Sequence, residues 1–256
     1  SALPVQYADY ALWQREILGS EESADSLISQ QVSFWSEELA GLPDQLDLPA
    51  DRPRPLVASY RGGTFDFVVP PETQQRLIGL AQANNASVFM VMHAALAVLL
   101  SRLSGTEDIA IGTPVAGRGD AALDDLIGMF VNTLVLRTEI DPNRSFADLL
   151  ARARETDLGA FGHADVPFER LVEVLNPARS QARHPLFQVM LTFQNTGQVN
   201  LELPGLSVSG VEFDTHMAKF DLQLTLSETS VNGAGADGIS AELSYATDLF
   251  DESTMA

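Results

Sequence analysis

One stretch, IGMFVNTLVLR at Ile127–Arg137, constrains the fold more than any other part of the chain. From Phe130 onward its residues alternate with the period of a β-strand, so every second residue shares a face. Both faces are largely apolar, which is typical of a strand covered on both sides. Asn132 and Thr133 interrupt the apolar run. Because an unpaired polar group there would cost roughly 1–3 kcal/mol, both are predicted either to form structural hydrogen bonds or to face a ligand.

The segments around this strand alternate between helical and strand periods. Helices are predicted at 7–18, 27–39, 71–85, 87–105, 145–163 and 167–175, with another starting after Asp251, and strands at 64–69, 108–115, 186–194, 206–213, 220–228 and 239–245. Ser87 and Ser145 are predicted N-caps, and Leu149, Leu150, Ala153 and Leu158 are expected to face inward. A proline-marked connector at Leu42–Pro55 is expected to run extended. This mixture predicts an α+β layered domain, a mixed β-sheet with helices packed on it.

The composition narrows the possible functions. Lys and Arg total 15 against 35 Asp and Glu, a net charge of −20, which argues against a nucleic-acid partner but leaves a basic or neutral protein partner open. The absence of cysteine excludes disulfides, thiolate metal sites and a cysteine nucleophile. Ser1–Tyr10 lacks the features of a signal peptide, and the apolar helix at 87–105 is short for a membrane span of about 20 residues. We therefore expect a cytoplasmic protein without a membrane partner. Both chain ends indicate a fragment of a longer protein.

The histidines and glycine-rich segments do not form a known catalytic or metal-binding motif. His93 lies on an apolar helix face and is predicted to be a core histidine, whereas His163 is expected at a helix C-terminus. His184 precedes a proline, and His216 lies between strands. No two histidines have metal-ligand spacing, so a metal site is not expected. Arg118, flanked by glycines at a strand end, is as consistent with a structural role as with a functional one.

Four motifs carry a family resemblance: YADYALW at 7–13, IGMFVNTLVLR at 127–137, HADVPFERLV at 163–172 and RSQARHPLFQVM at 179–190. Their order and spacing resemble consecutive signature motifs of nonribosomal peptide synthetase condensation domains. TPVAGR at 113–118 and YATDLFD at 245–251 are also similar to family patterns, so the likeness covers essentially the whole chain.

The resemblance implies a chloramphenicol-acetyltransferase-like architecture, in which two α+β lobes form a V around a tunnel. The family's catalytic signature, HHxxxDG, belongs to the first lobe and does not occur here. Residues 1–55 are therefore expected to be linker helices and connector. Residues 56–256 are expected to be the second, acceptor-side lobe without the family's final helix.

In this family an amine on the downstream carrier attacks a thioester on the upstream carrier, and a histidine of the missing signature positions or deprotonates the amine. The implied partners are upstream and downstream peptidyl carrier proteins, the missing N-terminal lobe and an adjacent adenylation domain. No cofactor is expected to bind directly, because 4′-phosphopantetheine arrives on the carriers. The intact FVNTLVLR favours ordinary condensation over heterocyclization or epimerization. The fragment alone is expected to be inactive.

Site residues carry over from the resemblance as follows. Arg118 would pair with the aspartate of the missing signature and support the lobe interface, and without that carboxylate it would be solvated. The candidates for lining the tunnel are Asn132, Thr133, Gln188, Gln194 and Asn195. For Asn132 and Thr133, backbone hydrogen bonding is favoured over substrate contact. Ordinary strand-end polarity is an equal alternative for the other three. A second functional hypothesis is a non-catalytic module that docks a carrier or a tailoring protein.

Overall fold

The computed structural model describes residues 3–194, 216–228 and 238–256. The helices are α1 (Tyr7–Leu18), α2 (Leu27–Glu38), α3 (Pro71–Ala83), α4 (Val88–Ser104), α5 (Phe146–Gly162), α6 (Phe168–Leu175) and α7 (Glu252–Met255), with one 3-10 turn at Ala121–Leu123. The strands are β1 (Gly62–Val69), β2 (Asp108–Ala116), β3 (Val131–Glu139), β4 (Val189–Gln194), β5 (Leu222–Glu228) and β6 (Ile239–Ala246). The strand predicted at 206–213 lies outside the described residues. The strand predicted from Leu186 begins later, because Leu186 has a left-handed φ of 68°.

The six strands form one mixed sheet in the order β1-β6-β5-β4-β2-β3. Strand β4 runs parallel to β2 and β5, and the other neighbours pair antiparallel, which confirms the predicted mixed sheet. Because parallel strands end at the same side of a sheet, β2, β4 and β5 all finish at one edge, where β3 begins. We call this side, marked by Ala116, Val131, Gln194 and Glu228, the C-terminal edge.

Strand β3 is covered on both faces although it is the last strand in the sheet order. Leu134, Val135 and Leu136 are consecutive and fully buried. Since consecutive strand residues point to opposite faces, packing must cover both of them. The prediction made from the alternating apolar pattern is confirmed.

Helices α4 and α5 pack against each other and enclose a polar pair. His93 of α4 and Asp157 of α5 are both fully buried, with the His93 Nδ1 atom 2.8 Å from the Asp157 Oδ1 atom. The inward prediction for Leu158 is wrong, because that side chain is 48% exposed. The buried stripe of α5 continues instead from Ala153 to Asp157 and Ala160, at the three- and four-residue spacing of a helix face.

The segment before β1 packs into the same body. Trp35 of α2 is fully buried, and its indole N–H donates to the carbonyl oxygen of His163 at 2.8 Å. The connector 42–55 has no helix or strand, as predicted, and Arg54 in it forms a bidentate ion pair with Asp221. Residues 3–55 thus share a core with the rest of the described chain. The division of the chain into segments 1–55 and 56–256 stays a prediction.

No single helix among the described residues has both the length and the apolar content to cross a membrane. Helices α3 and α4 meet both criteria only when taken together, across a bend of 102°.

Candidate functional site

Asn132 lies at the start of β3 and uses its whole amide inside the protein. Its nitrogen donates to the carbonyl oxygens of Ala164 and Val166, both at 2.8 Å. Its oxygen accepts the backbone N–H groups of Thr133 at 2.8 Å and Phe168 at 3.1 Å. An amide has two donor hydrogens and two acceptor sites, so these four bonds leave none for a ligand. Asn132 holds the turn between α5 and α6 against β3.

Gln188 acts in the same way at the opposite end of the sheet. Its side chain is buried, and its oxygen accepts the backbone N–H of Leu46 at 2.7 Å. Its nitrogen donates to the carbonyl oxygen of His184 at 3.1 Å, with a longer contact of 3.4 Å to that of Asp44. The amide therefore attaches the connector to the beginning of β4.

Thr133 and Gln194 differ from these two residues. Thr133 is half-buried near the start of β3, and Gln194 is exposed as the last residue of β4, opposite Ser227. Neither side chain has a hydrogen-bond partner within the described ranges 3–194, 216–228 and 238–256. No other described residue therefore occupies these two groups at the C-terminal edge. Asn195 lies outside the described residues.

Arg118 follows β2 at the C-terminal edge and is bound to its own loop. Its Nε atom donates to the carbonyl oxygen of Leu123 at 3.2 Å, and one terminal nitrogen donates to that of Leu126 at 2.8 Å. The guanidinium carbon lies 4.4 Å from the centre of the Phe130 ring, a cation–π contact. Arg118 is exposed, which agrees with the expectation that it is solvated, but it also contacts two backbone carbonyls and an aromatic face of its own loop.

Helix α1 closes over the same loop with two tyrosines. The Tyr7 ring meets Phe130 edge to face at 5.4 Å, and the Tyr10 ring lies 4.9 Å from Phe130. The Tyr7 hydroxyl donates to the carbonyl oxygen of Met129 at 2.9 Å. Burial raises the pKa of the Tyr10 hydroxyl, with smaller repulsive contributions from Tyr7 and Asp165. The YADYALW motif thus packs onto the segment that leads into β3.

Three of the four histidines serve packing. His93 is a core histidine, as predicted, and its Nε2 atom lies 3.4 Å from the Thr138 hydroxyl. His163 follows the C-terminus of α5, as predicted, and stacks on Phe34 with the ring centres 3.7 Å apart. His184 is surrounded by the rings of Phe168, Phe187 and Phe220, and burial lowers its pKa. His216 is exposed. The residues described here contain no group of three or more His, Asp or Glu placed to hold a metal.

Sequence reasoning missed the buried partner of His93. Asp157 stands four residues after Ala153 in the apolar stripe of α5, and that spacing was the available signal. A charged residue on such a stripe suggests a buried partner on a neighbouring helix. The loop contacts of Arg118 had no comparable signal, because they depend on backbone carbonyls.

A family model described as Condensation domain matches residues 1–256. The chain belongs to the condensation domain family. It is 53% identical over 252 residues to a dimodular nonribosomal peptide synthase of Bacillus subtilis, a match that covers 98% of this chain and 11% of that protein. The chain therefore corresponds to a small part of its curated relative.

Two solved structures from teicoplanin biosynthesis are similar over the whole chain. The X-domain gives a TM-score of 0.91 at 36% identity and is covered over 57% of its length. The complex of the X-domain with OxyB gives 0.89 at 35% identity, with 55% of the matched chain covered. With the mixed sheet and its helices, these matches confirm the α+β, chloramphenicol-acetyltransferase-like fold of this condensation domain.

Proposed function

We propose that this chain is the acceptor-side lobe of a condensation domain that forms amide bonds between carrier-bound thioesters. The observation that carries the proposal is the family match over all 256 residues, together with a relative that is a peptide synthase. The amine nitrogen of the acceptor attacks the thioester carbonyl carbon of the donor. A carbon–nitrogen bond forms, the carbon–sulfur bond breaks, the amine proton passes to a base, and the carrier thiolate leaves and is protonated.

The C-terminal edge is the part of this lobe that suits such a reaction. Thr133 and Gln194 offer a hydroxyl and an amide without partners among the described residues. Asn132 supplies rigidity at this edge, because all four of its hydrogen-bonding positions are bound to backbone. A site with rigid walls and a few free polar groups holds reactants in position, which lowers the entropic part of the barrier.

The 4′-phosphopantetheine arm of a carrier protein would supply the thioester. Its amides suit the hydroxyl of Thr133 and the side-chain amide of Gln194, which can each donate and accept hydrogen bonds. Arg118 already uses two of its five N–H donors on loop carbonyls, so three donors remain for another group at this edge. We propose upstream and downstream peptidyl carrier proteins and an adenylation domain as partners in the longer polypeptide.

The test is a product-detected condensation assay. A polypeptide that joins this chain to a first lobe with an intact HHxxxDG is mixed with loaded donor and acceptor carriers, and the dipeptidyl carrier is measured by mass spectrometry. We expect product from the joined domain, none from this 256-residue chain alone, and none after alanine replaces the second histidine of the signature. Robust product from the chain alone would overturn the two-lobe reading. No product from a folded joined domain would overturn condensation.

A docking module is the second candidate, favoured by the likeness to the X-domain found in complex with OxyB. In that case the joined domain would bind a tailoring protein without forming product. Size-exclusion chromatography of the joined domain with a tailoring protein, run beside the condensation assay, separates the two functions. Binding without product supports docking, and product supports condensation.

A further inference from the structure

The loop between β2 and β3, residues 117–130, is closed by contacts to its first residues. The Gly117 N–H donates to the carbonyl oxygen of Phe130 at 2.7 Å, which joins the two ends. Arg118 then reaches Leu123 and Leu126 through two separate nitrogens and places its guanidinium on the Phe130 ring. One planar group therefore contacts the loop at three points, a use for which the rigid fork of arginine is suited and the single ammonium of lysine is not.

Helix α1 holds the same loop from outside. A Cβ atom at Gly128 would lie 2.2 Å from the Tyr7 ring, so the backbone approaches that ring as closely as a glycine permits. The Tyr7 hydroxyl holds the next carbonyl, that of Met129, and Tyr10 contacts Phe130. The loop is thus held between Arg118 on one side and two tyrosines on the other.

With the loop closed in this way, some of its apolar side chains are buried and others are exposed. Leu126 and Phe130 are buried, whereas Ile127 is 95% exposed, Met129 75% and Val131 60%. Three apolar side chains are therefore held outward beside the start of β3, and we call them the apolar ridge.

We propose that Arg118 is a positioning residue that sets the conformation of loop 117–130 and thereby the apolar ridge at the C-terminal edge. This rests on the proposed function, because the ridge matters to amide formation only if this edge faces the reacting groups. The role differs from pairing with a carboxylate of another lobe: it acts through carbonyls and an aromatic ring of this chain, so it is present in the chain by itself.

Amide hydrogen exchange of the 256-residue chain tests the first half of the proposal. Arg118→Lys and Arg118→Met are each compared with the native chain, and Arg154→Lys serves as the control, since Arg154 donates to one backbone carbonyl outside this loop, that of Asn85, at 2.7 Å. We expect both Arg118 variants to speed exchange in 119–130 about tenfold, the equivalent of one charge-assisted hydrogen bond of ~1.5 kcal/mol. Amide exchange in the rest of the sheet should stay unchanged in both Arg118 variants. Arg154→Lys should leave exchange in 119–130 unchanged. Unchanged exchange in 119–130 of the Arg118 variants, or equal acceleration over the whole chain, would overturn the proposed role of Arg118 in this loop.

The second half is tested in the joined domain with loaded carriers. Arg118→Lys is expected to lower kcat about tenfold while the melting temperature falls by no more than about 6 °C, so the domain stays folded at the assay temperature. If only a positive charge were needed, lysine would restore full turnover, and that result would refute the positioning role. Absence of product from the native joined domain would instead refute the proposed function and leave the exchange result standing.

Discussion

Replacing His93 with leucine is expected to lower the free energy of unfolding by about 1–3 kcal/mol, the usual cost of leaving a buried polar group without a partner. The Asp157 carboxylate is fully buried and its only close polar contact among the described residues is the His93 Nδ1 atom at 2.8 Å. Leucine removes that contact without leaving a large cavity. The cost therefore arises from a carboxylate that has lost both solvent and partner.

Urea unfolding followed by circular dichroism measures this change. For a chain of this size 1 kcal/mol shifts the melting temperature by roughly 2–4 °C, so a thermal melt of the variant should show a decrease of about 2–12 °C. Glu155→Ala is the matched control, because Glu155 lies on the exposed side of α5, two residues from Asp157. Its effect should stay within about 0.5 kcal/mol.

The double variant His93→Leu, Asp157→Ala tests whether the stability loss of His93→Leu comes from the lost contact with Asp157 or from altered packing. It replaces the pair by apolar side chains of similar combined volume, and such replacements are often neutral or stabilising. We expect it to be more stable than His93→Leu alone. A loss below about 1 kcal/mol for His93→Leu, or a double variant that shows the sum of the two single losses, would refute the electrostatic reasoning.

Three further predictions concern stability. Asn132→Ala should cost about 2–4 kcal/mol in denaturant unfolding, because four hydrogen bonds are lost. Gly112→Ala should cost about 1–3 kcal/mol, since its Cβ would lie 2.2 Å from the Phe187 ring, and Phe187→Leu should recover part of the loss in the double variant. Burial lowers the pKa of His184 below its unfolded value, so the unfolded state binds the proton more readily. The stability present above pH ~6.5 is therefore lost as the pH falls through the lower folded pKa. His184→Phe should flatten this part of the curve of unfolding free energy against pH, measured by denaturant unfolding between pH 7.5 and 5.

Local elements were predictable because their signals are local. Helix α1 has the predicted bounds, and Ser87 and Gly105 begin and end α4 by an N-cap and a left-handed C-cap, as their residue types indicate. The buried character of β3 followed from its alternation. Strand order and the inward place of Asp157 depend on partners distant in sequence, so periodicity alone could not supply them.

The position of the candidate residues along the strands was predictable from the sequence, whereas their hydrogen bonding was not; that any of them lines a tunnel stays a prediction. Thr133 and Gln194 do lie toward one edge of the sheet, as strand-end residues should. Asn132 and Gln188 carry the same kinds of polar group, yet their hydrogen bonds are directed to backbone. The difference depends on which irregular segment passes the strand, and the sequence of the strand does not contain that information.

The amide of Asn132 shows why a polar residue in an apolar motif can mark a fold rather than a reaction. The turn between α5 and α6 presents two carbonyls, those of Ala164 and Val166, and the N–H of Phe168, which begins α6. Only a group with both donors and acceptors can satisfy this set, and a carboxylate of the same shape has acceptors alone when ionised. Asn132→Asp would keep the bonds to Thr133 and Phe168 but place a charge against two carbonyls, so it should destabilise the chain at least as much as alanine does. The motif therefore identifies how α5 and α6 attach to β3, and this role accounts for the whole hydrogen-bonding capacity of Asn132.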